Sequence, residues 1–267
     1  MVDTVLTDQS LTRMKRLIRG AKYDYMEFFS PDIVMYHDDF LGAARQDITA
    51  GDVQNAPWFT ELISTGGTLG AILADEPNGA MRFVTGATDN SGVDLKMGLM
   101  FRGDLNCAVE ARVKASAVTT IKFEVGFTDT LTADGIVNSP TVATPTYTAA
   151  DGFCWLGDTD QDTQVRGYGV KATVGATIVQ PGAGVGILAT TYMTYGCGAV
   201  DDNIRYWIKD ASGNVIWDNI VHGTVGYQAN GVTKTVKLTP YIMAQNRAVS
   251  ASRNFDIDYV RVWQRRA

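Results

Sequence analysis

The sequence is short of charge, of histidine and of cysteine. Only 19% of the 267 residues are Asp, Glu, Lys or Arg, and there are two histidines and three cysteines. Cys107, Cys154 and Cys197 are odd in number, widely spaced and without a CxxC pair, which argues against a disulfide framework and against a zinc site. We expect three small buried thiols, as suits assembly in a reducing cytoplasm.

Long apolar runs and long runs of helix-forming residues are also missing. No stretch approaches the roughly 20 apolar residues that cross a bilayer, and the N-terminus lacks the apolar segment of a signal peptide. The formal net charge is −6, and an acidic body repels nucleic acid and anionic lipid. We therefore expect no membrane partner and no nucleic-acid partner, and release from a cell only by lysis or within a particle.

Residues 1–30 differ from the rest of the chain. Residues 7–10 predict the cap of a short helix over 11–19, which Gly20 would end. Positive charges and then aromatic rings follow along this segment: Arg13, Lys15, Arg16 and Arg19, then Tyr23, Tyr25, Phe28 and Phe29. This pattern predicts an arm that anchors the chain on another protein. The alternative is a helix that packs on the chain's own domain. We place that domain at residues 31–267.

From residue 33 onward apolar residues recur at every second position. The alternation is clearest over residues 107–114 and 121–128, each with one apolar face and one mostly polar or small face. A hairpin is predicted over residues 204–217, with its turn at 210–213. Because no helical segments alternate with these strands, we predict an all-β fold of two antiparallel sheets packed face to face.

Two segments are candidates for contact with a ligand or partner. Residues 133–152 are rich in Thr and Ala, contain Pro140 and Pro145, and predict a long surface loop. The segment from Tyr192 to Cys197 is the second candidate, through Tyr192 and Tyr195, because exposed aromatic rings offer a flat apolar face with a polar tip.

Three short segments resemble the concanavalin A-like lectin/glucanase superfamily, which includes laminarinase-like hydrolases and laminin G-like modules. The run from Phe255 to Trp263 resembles its last strand, Asp38-Asp39-Phe40 resembles its opening motif, and residues 205–216 resemble its late hairpin. Together they span residues 38–263, nearly the whole domain. The resemblance implies a jelly-roll sandwich of two large antiparallel sheets, here with a short N-terminal arm.

Glycosidases of that superfamily carry E-x-D-x-x-E or E-x-D-x-E on one strand. Retaining hydrolysis needs two carboxyl groups about 5 Å apart, one as nucleophile and one as acid. Glu124 is the nearest candidate, but Gly126 and Thr128 follow it on its face of the strand. Glu110 is followed on its face by two cations, which predicts a surface ion pair. We therefore predict no catalytic residue and no enzyme.

Two acidic residues near the C-terminus are predicted to have a structural role. Asp256 and Asp258 are expected to share a face with Val260 and Val262, and to pair with Arg253, Arg261 or backbone amides.

Asp158, Asp160 and Asp162 gather oxygens suited to calcium. Thr163 and Gly169 stand where the helix-loop-helix calcium template needs a glycine and a glutamate. We predict no cofactor, with Ca²⁺ at these aspartates as the weak exception.

Small domains of this kind also resemble virion proteins of tailed bacteriophages, to which residues 125–129 and 157–160 are similar. That resemblance implies a non-enzymatic structural protein of the virion, assembled in the host cytoplasm. We predict a capsid decoration or cement protein, or otherwise a tail or fibre component, that contacts other virion proteins through its arm and forms a homo-oligomer. The alternative is a carbohydrate-binding module, and the third hypothesis is an unconventional glycosidase.

Overall fold

The computed structural model describes most of the chain from residue 33 onward. The described residues are 33–40, 59–63, 67–73, 79–131, 135–139, 146–161, 164–175, 179–182, 185–186, 188–200, 203–221, 232–233, 235–247 and 251–266. The predicted arm at residues 1–30 and the candidate calcium ligand Asp162 lie outside them. Within these ranges no helix has the length and apolar character to cross a bilayer.

Strands account for nearly all regular structure in these ranges. In chain order they are β1 Ile33–Asp38, β2 Phe59–Ile63, β3 Thr68–Ile72, β4 Met81–Val84, β5 Gly92–Lys96, β6 Phe101–Arg102, β7 Ala108–Ala115, β8 Ile121–Thr128, β9 Val137–Ser139, β10 Thr146–Tyr147, β11 Gly152–Asp158, β12 Val165–Lys171, β13 Val174–Gly175, β14 Met193–Val200, β15 Asn203–Lys209, β16 Val215–Val221, β17 Lys237–Asn246 and β18 Asn254–Arg265. One turn of 3₁₀ helix, Gly103–Leu105, separates β6 from β7.

The strands form two large antiparallel sheets. Sheet I has the order β16-β15-β14-β7-β18-β4-β3, with β1 also paired to β18. Sheet II has the order β13-β12-β11-β8-β17-β5-β2, with β6 also paired to β17. Strands β9 and β10 form a separate two-stranded sheet. The predicted sandwich of two antiparallel sheets is confirmed, because each sheet buries one apolar face against the other.

The core lies between the two sheets and follows the predicted alternation. Ile121, Phe123, Val125 and Phe127 of β8 are at most 1% exposed and all belong to the main apolar cluster. Phe123 stacks on Phe255 of sheet I with ring centroids 5.5 Å apart. Burying a side chain of this size stabilises the fold by about 1.5–3 kcal/mol, so these positions hold the sheets together.

The Asp38-Asp39-Phe40 motif forms a tight turn at the end of β1. The carboxylate of Asp38 accepts hydrogen bonds from the Phe40 backbone N–H at 3.0 Å and from the Tyr36 hydroxyl at 3.2 Å. Phe40 has a φ of 54° and is fully buried. The motif therefore directs Phe40 into the core and is structural.

The predicted hairpin at the end of sheet I is confirmed as β15 and β16. Its turn is held by the Asp210 carboxylate, which accepts hydrogen bonds from the N–H groups of Asn214 at 2.8 Å and Ser212 at 2.9 Å. Hydrogen bonds from the Asn214 side chain and backbone lower the pKa of Asp210. Gly213 has a φ of 83°, which favours glycine at the end of this turn.

The last strand contains a β-bulge that overturns one prediction. The register of β18 against β7 shifts between Ile257 and Tyr259. The shift reverses the side-chain parity, so Asp258 does not share a face with Val260 and Val262, which are buried in the core.

The partners of the two aspartates also differ from those predicted. Asp256 pairs with Arg82 at 2.6 Å and with Lys114 at 3.3 Å, and Asp258 pairs with Arg112. The prediction of Arg253 or Arg261 as partner was wrong, because the cations come from neighbouring strands.

Candidate functional site

The outer face of sheet II, turned away from the core, carries the acidic residue nearest to the catalytic pattern. Side chains of one row lie side by side across five strands: Asp94, Met243, Glu124, Leu156 and Arg166. Glu124 stands near the middle of this row, on β8. Its position makes the outer face of sheet II the first place to test for chemistry.

The carboxylate of Glu124 is fully buried, with hydrogen bonds at Oε2 and an ion-pair contact at Oε1. Its Oε2 accepts hydrogen bonds from the Ile136 backbone N–H at 2.8 Å and from the Tyr241 hydroxyl. The ammonium of Lys122 lies 3.1 Å from Oε1. The thiol of Cys154 lies 3.8 Å from Oε2. These partners replace the water that a carboxylate loses on burial, so the group is stabilised as part of the fold.

A hairpin covers this carboxylate, which corrects the prediction of a long surface loop at residues 133–152. Strands β9 and β10 lie over the outer face of sheet II, with Ile136 and Val137 fully buried. A Cβ on Gly135 would come within 2.4 Å of Glu124 Oε2, so a larger residue at this crossing would displace the carboxylate. The hairpin closes the space that a substrate of Glu124 would need.

A second apolar cluster lies between the hairpin and sheet II. Its buried members are Ile136, Val137, Ala149, Cys154, Leu156, Tyr168, Val170, Tyr241 and Met243. This cluster could not be predicted, since residues 133–152 show no sustained alternation and their Thr, Ala and Pro content favours a loop.

The other carboxylates described on this face also have cationic partners. Asp94 lies 2.6 Å from the ammonium of Lys96, and both side chains are fully buried. Asp158 lies 3.2 Å from the guanidinium of Arg247. Sequence reasoning missed the Asp94–Lys96 pair, although both residues alternate with apolar neighbours along β5. None of these pairs leaves an acid and a base free to act together on a bond.

Burial raises the pKa of several titratable groups on this face. Burial raises the pKa of Tyr241 well above its usual value, and raises that of the Cys154 thiol likewise. Burial also raises the pKa of Asp158, against the lowering effect of Arg247 and Lys122. The thiols of Cys107 and Cys197 lie in the main core, and burial raises the pKa of both. A thiol kept protonated is a poor nucleophile.

The candidate calcium ligands split between two environments. Asp158 is 1% exposed, and its Oδ1 accepts a hydrogen bond from the Asp160 backbone N–H at 3.2 Å. The Asp160 carboxylate instead accepts a hydrogen bond from the Gln161 side-chain amide at 3.1 Å. The described part of the chain holds no cluster of three possible metal ligands, and calcium binding stays a prediction.

The two tyrosines predicted to contact a ligand lie in different places. Tyr195 is 2% exposed and packs on Phe123 and Trp155 in the core, which corrects its assignment as a ligand contact. Tyr192 lies just before β14, half-buried, with the charged groups of Arg112 and Lys114 at 4.5 and 4.4 Å from its ring centroid. Only Tyr192 remains a candidate contact.

Glu110 on sheet I is buried, which corrects its prediction as a surface pair. Its carboxylate accepts hydrogen bonds from Trp207 Nε1 at 2.7 Å, Lys209 Nζ at 2.5 Å and the Tyr259 hydroxyl at 3.0 Å. These donors come from β15 and β18 on either side of the β7–β14 pair. Glu110 therefore links three strands of sheet I, β7, β15 and β18, across its outer face.

Comparison with known proteins shows likeness at the level of structure. No family model and no curated protein matches the sequence. A protein of unknown function from Shewanella oneidensis MR-1 matches with a TM-score of 0.61 and 15% identity, over 99% of this chain and 97% of that one.

Enzymes and lectins are among the other similar structures. A Bacillus licheniformis β-glucanase matches with a TM-score of 0.51 and 12% identity, over 85% of this chain and 97% of that one. Peanut lectin matches with a TM-score of 0.50 and 6% identity, over 86% and 97%. At such identities the likeness shows a shared fold alone, and it confirms the structural resemblance predicted from the sequence.

Proposed function

We propose that this chain, which has the concanavalin A-like jelly-roll fold, is a non-enzymatic structural protein of a virus particle. Its role would be that of a capsid decoration or cement protein, or otherwise a tail or fibre component. The observation that carries the non-enzymatic part is the state of Glu124, which is buried, paired with Lys122 and covered by the hairpin at Gly135.

The geometry around Glu124 opposes glycoside hydrolysis on physical grounds. The reaction needs a nucleophile and an acid on opposite sides of an accessible bond, about 5 Å apart in retaining enzymes. Lys122 and Gly126 flank Glu124 on its face of β8, so no second carboxylate follows along the strand. The backbone N–H of Ile136 occupies Oε2, where a sugar would have to approach.

The full chain is therefore expected to release no reducing ends from a panel of β-glucans and other polysaccharides. Release is measured by a reducing-sugar assay over a day at several pH values, beside a glucanase as positive control. Hydrolysis that is present in the parent chain and abolished in Glu124→Gln would refute the non-enzymatic assignment.

The virion assignment is supported by the sequence. The basic and aromatic segment at residues 1–30 has the composition of an anchoring arm, and segments 125–129 and 157–160 resemble tailed-phage virion proteins. A sandwich with no accessible acid–base pair in its described part is compatible with a displayed structural role. The main body is acidic, with the positive charges of the arm set apart from it.

Removal of the arm is expected to weaken particle binding by at least about tenfold, since several charged and aromatic contacts would be lost together. Particles stripped of the protein are mixed with the full chain or with residues 31–267, and bound protein is measured after sedimentation. A full-length variant with Arg13, Lys15, Arg16 and Arg19 changed to Glu keeps the length of the chain but reverses the charge of the arm. It should bind as weakly as the shortened chain if these charges anchor the protein. Equal binding by the shortened chain, with its urea unfolding unchanged, would rule out the anchoring role.

A carbohydrate-binding module is the second candidate, favoured by the lectin among the similar structures and by the half-buried ring of Tyr192. If this function is right, a glycan array gives saturable binding, and Tyr192→Ala lowers it by at least about tenfold, as loss of a stacked aromatic contact does. Val174→Ala, at an exposed site on β13 of the other sheet, is the control and leaves binding unchanged. An array without hits would remove this candidate.

A further inference from the structure

The hairpin over sheet II is connected to the rest of the fold in an unusual way. Its strands β9 and β10 pair with each other and with no strand of either large sheet among the described residues. Its base is closed where Asp129 N–H donates to the Asp151 carbonyl at 3.0 Å, and Thr148 N–H donates to the Ile136 carbonyl at 3.0 Å within it. Lifting the hairpin would break no ladder hydrogen bond of sheet II.

The apolar contacts of the hairpin are likewise separate from the main core. Ile136, Val137 and Ala149 pack on the outer face of sheet II, whereas the main core fills the space between the two sheets. A two-stranded hairpin is at best marginally stable alone, so this one depends on the surface beneath it. Two independent apolar clusters allow one to open while the other stays closed.

We propose that residues 135–139 and 146–149 form a strap that opens as a unit over sheet II, with the Lys122–Glu124 pair as its latch, while the sandwich core stays closed. This inference goes beyond the proposed function, since it concerns access to a covered face and holds whichever partner the chain has.

The latch consists of two charged side chains that hold backbone atoms of the strap. Glu124 Oε2 accepts the Ile136 N–H at 2.8 Å, and Lys122 Nζ donates to the Val137 carbonyl at 2.5 Å. Both hold the same end of β9, next to Gly135, whose missing side chain lets the backbone approach the carboxylate. Hydrogen bonds to charged groups are roughly twice as strong as neutral ones, so this one pair supplies much of the closing free energy.

Opening the strap would uncover a face of mixed polar and aromatic character. Glu124, Tyr241 and Cys154 lie directly beneath it. A molecule that donates hydrogen bonds to the Glu124 carboxylate would compete with the Ile136 N–H and shift the equilibrium toward the open state. The strap is thus a conformational device that controls exposure of this face.

The three cysteines provide the test without any change to the sequence. Cys154 lies under the strap, whereas Cys107 and Cys197 lie in the main core. The full chain is pulse-labelled with a maleimide under native conditions, and each site is followed by mass spectrometry of peptides. We expect Cys154 to be modified at least about tenfold faster than Cys197, because local opening costs less free energy than global unfolding.

Two variants identify the latch. Glu124→Gln keeps the shape but removes the charge, and we expect it to raise the labelling rate of Cys154 by about tenfold or more. The globally unfolded state also lacks the pair, so the Cys197 rate rises by a similar factor. Glu110→Gln, at a buried carboxylate paired with Lys209 on sheet I, is the matched control. It weakens the sandwich and raises the Cys197 rate, but it should leave the Cys154 rate unchanged, because the Glu110 contacts stay intact when only the strap opens. Equal labelling rates at all three cysteines in the parent chain would overturn the proposal, as would an unchanged Cys154 rate in Glu124→Gln.

Discussion

Replacing Glu124 by alanine is expected to lower the free energy of unfolding by about 3–5 kcal/mol, the range found when one partner of a buried ion pair is removed. The change leaves the ammonium of Lys122, 4% exposed, without its carboxylate. It also leaves the Ile136 N–H and the Tyr241 hydroxyl without their acceptor on β8. Urea unfolding at pH 7, followed by circular dichroism, measures the loss.

Two further variants separate this effect from loss of charge in general. The double change Lys122→Met with Glu124→Leu removes both charges together, and we expect it to recover part of the stability, because no unpaired charge stays buried. The remaining loss comes from the Ile136 N–H, the Tyr241 hydroxyl and the Val137 carbonyl, which still lack their partners. Asp104→Ala breaks the Arg102–Asp104 pair, whose side chains are 35% and 26% exposed, and should cost less than about 1 kcal/mol. A loss below about 1 kcal/mol in Glu124→Ala would contradict the sealed, structural role assigned to this carboxylate.

The sequence predicted the sandwich well because alternation is a local signal with a direct structural cause. In β8 the apolar residues Phe123 and Val125 must face the core, which places Glu124 on the outer face of sheet II. The absence of a second carboxylate at Gly126 was visible for the same reason. A strand with one buried face fixes which side each residue takes.

The covering hairpin could not be predicted from the same signal. Its strands β9 and β10 have three and two residues, too short for alternation to be recognised. Gly135 favours a turn when it is considered alone, and its requirement for close approach to Glu124 depends on a residue eleven positions earlier in the chain. The bulge in β18 was hidden in a similar way, since one extra residue reverses parity without altering the composition of the strand.

The segment at residues 192–197, predicted to contact a ligand through its aromatic rings, differs from the prediction because it belongs mostly to a strand. Residues 193–197 are the first five of the eight residues of β14, in the interior of sheet I. Gly196 lies opposite Glu110 on β7 and opposite Trp207 on β15. Glycine in a strand often marks a place where another group approaches closely, and here that group is the Trp207 ring, which lies against the Gly196 backbone.

Gly196→Ala is accordingly expected to cost on the order of 3–5 kcal/mol, combining overpacking with the loss of a buried hydrogen bond. The added Cβ would lie 2.0 Å from Cε2 of Trp207, whose side chain is fully buried. The ring would have to leave Glu110, to which its Nε1 donates at 2.7 Å, and lose its contact with Trp263. Urea unfolding measures the cost, and tryptophan fluorescence of the folded state reports the displaced ring.

Gly98→Ala is the matched control, because its added Cβ would meet only the flexible end of Met100, at 3.2 Å. We expect it to change the free energy of unfolding by less than about 0.5 kcal/mol, as substitutions outside packed sites do. If both glycine variants unfold at the same urea concentration, Trp207 can shift without cost. The hydrogen bond to Glu110 would then not be what holds β15 to β7 across the outer face of sheet I.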